Sequence, residues 1–215
     1  MNVLVIGANG QIGKHLVQKL EQHTSHHVRA MVRKQEQKEY LDDLGIEGVL
    51  GDLEGSIDDL TAVVKGSDAI VFAAGSGGHT GADKTVMIDL DGAIKAMEAA
   101  KRANIDRFII VSAIGVHKRE NWMPKAPYYS AAKYYADEWL KASGLDYTII
   151  RPGGLTNDEG SGKVKISEEL ERGDIPREDV ANVILASLEN EQTIGKSFDL
   201  ISGESSVLEA VNSIR

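Results

Sequence analysis

Met1-Asn2-Val3-Leu4-Val5-Ile6-Gly7-Ala8-Asn9-Gly10-Gln11-Ile12-Gly13-Lys14 is the stretch from which the rest of the chain is read. Asn2 to Ile6 is a short apolar run ending at glycine, the pattern of a buried parallel strand. Gly7, Gly10 and Gly13 follow with G-x-x-G-x-x-G spacing, and Gln11 to Gln22 reads as a helix. Gly7 can turn sharply out of the strand because it has no Cβ. Gly10 lets the backbone approach a ligand, and Gly13 lets the helix pack closely on the sheet. The unpaired N–H groups of the first helical turn, with the positive end of the helix dipole behind them, then form a seat for a pyrophosphate. Three glycines by themselves also fit a helix merely packed against a strand. The strand before them and the helix after them favour the anion seat.

Outward from this unit the chain alternates. Strands are expected over His27–Val32, Glu47–Leu50, Asp68–Ala73, Arg107–Ser112 and Asp146–Arg151. Helices are expected over Gln35–Leu44, Ile57–Lys65 with Ser56 as N-cap, Thr85–Ala103 and from Pro127 to about Ser143. Such alternation implies an α/β fold, a parallel sheet wrapped on both faces. The C-terminal stretch, 153–215, differs in texture. It offers a short strand at Val164–Ile166, a helix at Arg177–Glu189, a strand at Ser197–Ile201 and a last helix at Val207–Ile214. It is too short for an independent domain, so one domain over 1–215 is expected, with this part as a small cap on the substrate side.

Composition narrows the classes. The 215 residues carry a formal charge of −9 without a basic block, which argues against a nucleic-acid partner. No apolar run approaches the roughly 18 residues of a membrane span. Absence of cysteine excludes disulfides, thiolate metal sites and thiol catalysis. The first strand leaves no room for a signal peptide, so a soluble cytoplasmic protein is expected.

In a doubly wound sheet, ligands bind beyond the carboxyl ends of the strands. The loops at 7–13, 33–34, 52–53, 73–78, 112–117 and 152–156 all fall there. An NAD site usually places an acid about 20 residues past the glycines, on the ribose 2′-hydroxyl. Here that position is Arg33, and no acid occurs from Val28 to Gln35. A guanidinium can bind a 2′-phosphate through two charge-assisted bonds, so NADP(H) is preferred over NAD(H). An arginine snorkelling from a strand end is the plainer reading. Tyr129 and Lys133 lie one turn apart on one helix face, where an ammonium beside a phenol favours the phenolate. Such a tyrosine can pass a proton to a carbonyl oxygen while hydride moves, and Ser112 can hydrogen-bond the same oxygen. Tyr128, Tyr134 and Tyr135 crowd the same helix, and packing alone explains most such pairs.

Together, Gly7-Ala8-Asn9-Gly10-Gln11-Ile12-Gly13, Gly51-Asp52-Leu53, Phe72-Ala73-Ala74, Val111-Ser112-Ala113, Tyr129-x-x-x-Lys133 and Arg151-Pro152-Gly153 resemble the short-chain dehydrogenase/reductase superfamily in its order of motifs. Glycine spacing and the compact tail resemble its atypical branch, near NmrA-like and flavin/biliverdin reductase-like proteins. The resemblance implies a Rossmann fold. It also implies that Asp52 and Leu53 contact adenine, and that Ala73, Ala74 and Gly75 line the adenosine ribose. It further implies that Lys133 binds the nicotinamide ribose, while Pro152, Gly153 and Leu155 border the nicotinamide. Asp89 stands where sugar-nucleotide epimerases and dehydratases usually carry asparagine, and their large substrate lobe is missing.

The leading expectation is an NADP(H)-dependent reductase of a small carbonyl, quinone or flavin-like substrate. The alternatives are a cofactor-sensing protein without turnover and a sugar-nucleotide epimerase or dehydratase. A monomer and a homodimer fit equally. No metal is expected: His23, His26 and His27 straddle a helix end and a turn without a matching carboxylate. His79 and His117 fall in loops on the cofactor side, where either can touch substrate or simply face solvent.

Overall fold

In a computed structural model of the chain, residues 1–78 and 80–214 are described; His79, singled out above, lies outside them. The first strand, β1 (Asn2–Ile6), sits at the centre of the sheet. Its side chains alternate between two cores. Val3 and Val5 join one apolar cluster, Leu4 and Ile6 the other. Helix α1 (Gln11–Glu21) presents Ile12, Leu16, Val17 and Leu20 to the first core. Then follow β2 (His27–Val32), α2 (Gln35–Asp43), β3 (Glu47–Leu50), α3 (Ile57–Val64) and β4 (Ala69–Phe72). Ser56 caps α3 by accepting from the Asp59 amide, as its sequence predicts.

The helix expected over Thr85–Ala103 begins earlier and changes character. It consists of α4 (Ala82–Lys84), a π-helical segment (Thr85–Gly92) and α5 (Ala93–Arg102). A π-turn has no periodic signature in sequence, and such turns collect at functional positions. Beyond β5 (Arg107–Val111) come α6 (Pro127–Ala142) and β6 (Asp146–Pro152). Pro127 begins α6 at the first turn, where a missing N–H is tolerated.

The C-terminal part joins the main sheet. It contributes β7 (Gly154–Thr156), β8 (Lys163–Ser167), β9 (Asp174–Pro176), α7 (Arg177–Leu188), β10 (Lys196–Ser202), β11 (Ser205–Ser206) and α8 (Val207–Asn212). Strand β10 enters the main sheet parallel to β6, and β8 lies antiparallel against β10. The nine-stranded order is β11-β8-β10-β6-β5-β4-β1-β2-β3. The order from β3 to β6 is the Rossmann arrangement, with its reversal between β1 and β4. The pair β7–β9 forms a second, two-stranded sheet that the sequence did not announce, because three-residue strands bounded by glycine and proline carry no alternation.

Helices α1 and α7 cover the same face, tied by Lys19 and Glu178 at 3.0 Å. Helices α3, α5 and α6 cover the other. At the β3 edge, the Gly48 amide donates to Asp42 Oδ1 of α2 at 2.9 Å. No helix among the described residues is long and apolar enough to cross a membrane.

Leu4 is fully buried on the central strand. Leu4→Ala is expected to cost about 3–4 kcal/mol by transfer and cavity terms, read as a lower urea midpoint with an unchanged denaturant slope.

Candidate functional site

The glycine loop is built by close backbone approach. Gly7 has φ +92°, and the Gly10 amide closes the turn on the Gly7 carbonyl at 2.8 Å. A Cβ on Gly7 would lie 2.6 Å from the Ala74 nitrogen, and one on Gly13 would lie 2.1 Å from the Gly7 oxygen. The loop therefore accepts only glycine at both places, and it brings 7–13 against Ala73–Ala74. Gly10 is the N-cap of α1, with no side-chain cap and no acid in the first turn. The first amides are thus left for an anion. Asn9 and Gln11 are exposed at this rim, whereas Ala8 and Ile12 are buried beneath it. Arg33 and Asp52 are exposed just past β2 and β3; Leu53 is buried in the core.

The second half of the site hangs on α6. Tyr129, Lys133 and Asp137 follow at single-turn intervals. Lys133 is buried, and its Nζ reaches Asp89 Oδ1 at 3.2 Å and donates to the Val111 carbonyl at 3.2 Å. The same Nζ lies 5.9 Å from the centre of the Tyr129 ring. Burial works to lower the Lys133 pKa, but Tyr129, Asp89 and Asp137 outweigh it and raise it, so this side chain is a permanent ammonium. Asp89 belongs to the π-helical segment. Its Oδ2 accepts from the Ser76 amide at 2.9 Å, which fastens the loop after β4 to the same centre.

Ser112 follows β5 and is buried; its hydroxyl donates to Asp137 Oδ2 at 2.8 Å. Asp137 was not singled out from sequence. The available signal was its position, one turn beyond Lys133 on the face that carries Tyr129. Its other oxygen, Oδ1, is buried and has no hydrogen-bond partner among the described residues. Burial pushes Asp137 up from 3.8 to about 7, against the Ser112 bond and the charges of Arg151, Lys133 and Lys141.

Residues at the end of β6 line the next stretch of the rim. Pro152 and Gly153 are buried, and Leu155 is exposed on β7. Beside them Arg151 donates to Asp199 Oδ1 at 2.7 Å, and His117 Nδ1 stands 3.9 Å from that oxygen. Burial, then Arg151, holds the His117 pKa down. The loop bearing His117 is fixed by Lys118 to Glu169 and by Arg172 to the Asn121 carbonyl. Arg119 packs over the rings of Trp122, Tyr134 and Tyr135, which accounts for two of the crowded tyrosines as loop anchors. The structure thus gathers Ser112, Tyr129 and Lys133 with Asp89 and Asp137, while Arg33 and Asp52 lie beyond other strands of the same sheet.

Comparison with known proteins gives a consistent picture. The profile described as NAD(P)H-binding matches residues 7–191. A protein of Bacillus subtilis (strain 168), named as the uncharacterized sugar epimerase YhfK, is 53% identical over 214 residues, covering 100% of both chains. A Bacillus halodurans structure, provisionally named as an NAD-dependent epimerase/dehydratase, superimposes with a TM-score of 0.92 at 42% identity over 99% of each chain. A ceramide reductase of Caulobacter vibrioides (strain NA1000 / CB15N) is 31% identical over 71% of this chain and 46% of its own.

Asp137 sets a pH dependence whose sign follows from its raised value. Between 3.8 and about 7 the folded chain keeps a proton that the unfolded chain has released. Stability falls as pH rises through that window and is flat above it. In Asp137→Asn this decline, roughly a few kcal/mol, is expected to disappear from urea midpoints measured at about pH 5 and about pH 8.

Proposed function

Because the chain belongs to the NAD(P)H-binding family, we propose that it is an NADPH-dependent reductase of a small carbonyl, quinone or flavin-like substrate. The observation that carries this reading is the buried Lys133 ammonium, held by Asp89 beside Tyr129. The two glycine positions that no Cβ could occupy and the uncapped first turn of α1 fit a dinucleotide pyrophosphate. In this assignment residues 7–13 hold the pyrophosphate, and Ala73, Ala74 and Gly75 line the adenosine ribose. Asp52 and Leu53 meet the adenine, and Arg33 takes the 2′-phosphate. Lys133 binds the nicotinamide ribose, with Pro152, Gly153 and Leu155 along the ring. When bound, the cofactor would supply the hydride that reduces the substrate.

Tyr129 gives its proton to the substrate oxygen as that hydride arrives, and the neighbouring ammonium stabilises the phenolate left behind. Two of the Lys133 donor positions are engaged, by Asp89 and by the Val111 carbonyl, and the third is available to the ribose or the phenolate. Ser112 answers to Asp137. While Asp137 is ionised, the serine proton is committed to it and the serine can only accept. Once Asp137 is protonated, its own O–H can donate to Ser112 Oγ, and the serine hydrogen is free to meet the substrate oxygen.

That committed serine proton also favours a second reading, a protein that binds the dinucleotide and reports on it without turnover. A panel of aldehydes, ketones, quinones and flavins, with nucleotide sugars added because of the epimerase names among the relatives, separates the readings. The reductase predicts NADPH consumption. In Tyr129→Phe the turnover rate is expected to fall by roughly a hundredfold or more, with NADPH affinity held. In Arg33→Ala, NADPH binding is expected to weaken about tenfold to a hundredfold, the loss of a charge-assisted bond, while NADH binding stays nearly constant. Tight NADPH binding with no consumption across the panel overturns the reductase in favour of the sensor.

A further inference from the structure

The histidines near the start of β2 take no part in the chemistry above, and the fold gives them a partner that their sequence neighbourhood lacks. Helices α1 and α7 lie side by side on one face of the sheet, so the turn after α1 meets the end of α7. Glu189 is the C-cap residue of α7. Its Oε1 lies 3.1 Å from His23 Nε2 and 3.4 Å from His26 Nε2. One ligand atom from each residue falls within 4.8 Å of the other two. His27, expected from sequence to group with the other two, turns instead to Glu47 at 3.1 Å.

His26 is the anomaly. Its side chain is 4% exposed, yet neither ring nitrogen has a hydrogen-bond partner among the described residues. Burying both polar atoms of an imidazole unmatched is unfavourable, and native interiors rarely do it. The approach of Nε2 to Glu189 at 3.4 Å does not meet hydrogen-bond geometry. A shared cation would satisfy it. Ligands at about 2.0–2.1 Å around a tetrahedral ion lie roughly 3.4 Å from one another, close to the 3.1 and 3.4 Å at which the two imidazoles approach Glu189. The His23 and His26 rings stack, 4.7 Å apart and inclined by 25°, so uptake of one ion requires one ring to turn until both in-plane lone pairs meet it.

We propose that His23, His26 and Glu189 form a binding site for a borderline divalent cation of the zinc or nickel type. Two imidazoles and one carboxylate suit such ions and disfavour magnesium or calcium, which prefer all-oxygen shells. The set leaves a fourth position for water. A cleft of about 420 Å³, lined in part by Glu189, Gln192, Leu208 and Asn212, adjoins it. Ligation through His23 Nε2 puts the ring proton on Nδ1 and so gives up only the long 3.4 Å bond from the Ser25 amide. His26 immediately precedes β2, at the amino end of the parallel strands, and the glycine loop is at their carboxyl end. The site is therefore a clamp between the α1–β2 turn and α7, independent of the reductase assignment.

The test is calorimetric titration of tag-free, chelator-treated full-length protein with zinc chloride and with nickel chloride, and with magnesium chloride as the contrast. His26 is buried, so the informative variants are the more exposed His23→Gln and Glu189→Gln, with His27→Gln as control. The expected result is one zinc ion per chain, bound roughly tenfold to a hundredfold more weakly by each ligand variant and equally by His27→Gln. Zinc should also raise the melting temperature of the wild type and of His27→Gln more than that of the two ligand variants. Absence of stoichiometric zinc binding overturns the proposal, as does affinity that survives both ligand substitutions.

Discussion

The constraint on which the site depends is steric: the Gly7 carbonyl oxygen stands where a side chain on residue 13 would begin. Everything at the carboxyl end of the sheet depends on that approach. It sets the depth at which α1 lies on β1, which leaves the first amides of the helix at the rim instead of beneath a side-chain cap. It also seats the turn against Ala73–Ala74, so the loop after β4 is held in place by backbone contact. That loop is the one Asp89 grips through the Ser76 amide, and Asp89 is the partner of Lys133. The glycine turn and the lysine, far apart in sequence, are therefore joined through one short chain of contacts.

The α6 face shows how buried charge is managed. One ammonium and two carboxylates lie beneath the rim, and Asp89 already balances Lys133. Asp137 is left with a serine hydroxyl on one oxygen and no partner among the described residues on the other, and its ionised form is correspondingly disfavoured. A second buried pair, Arg151 with Asp199, lies beyond it and is completed by the Glu168 carbonyl and the Leu170 amide. Burial is what raises Asp137, against the Ser112 hydroxyl bond and the charges of Arg151, Lys133 and Lys141.

Much of this was legible in the chain. The parallel strands and their helices were visible because alternating and helical periods differ and because Gly7, Ser56 and Pro127 carry backbone-specific meaning. The fold class and the membership of an NAD(P)-binding family followed from the same motifs. Four things were not legible, each for a physical reason. The π-turn at Asp89 changes hydrogen bonding without changing which residue types occur. The strands β7 and β9 are too short for a period, and they are fixed by each other. Glu189 could not be matched to His23 and His26, because only the side-by-side packing of α1 and α7 makes them neighbours. The role of Asp137 was hidden for a related reason, since an acid on a helix reads as solvated until the helix is placed.

The bond from the Gly48 amide to Asp42 bears on how this molecule meets others of its kind. An outermost strand normally offers unpaired backbone groups to any extended chain that drifts alongside. At β3, α2 reaches over and spends the outward amide of Gly48 on its own carboxylate, while the Lys38 side chain packs against the same glycine. The opposite border ends in β11, only two residues long. A sheet bordered in this way is a poor template for strand addition. Strand addition is thereby disfavoured where Asp42 covers β3 and where β11 lies along β8.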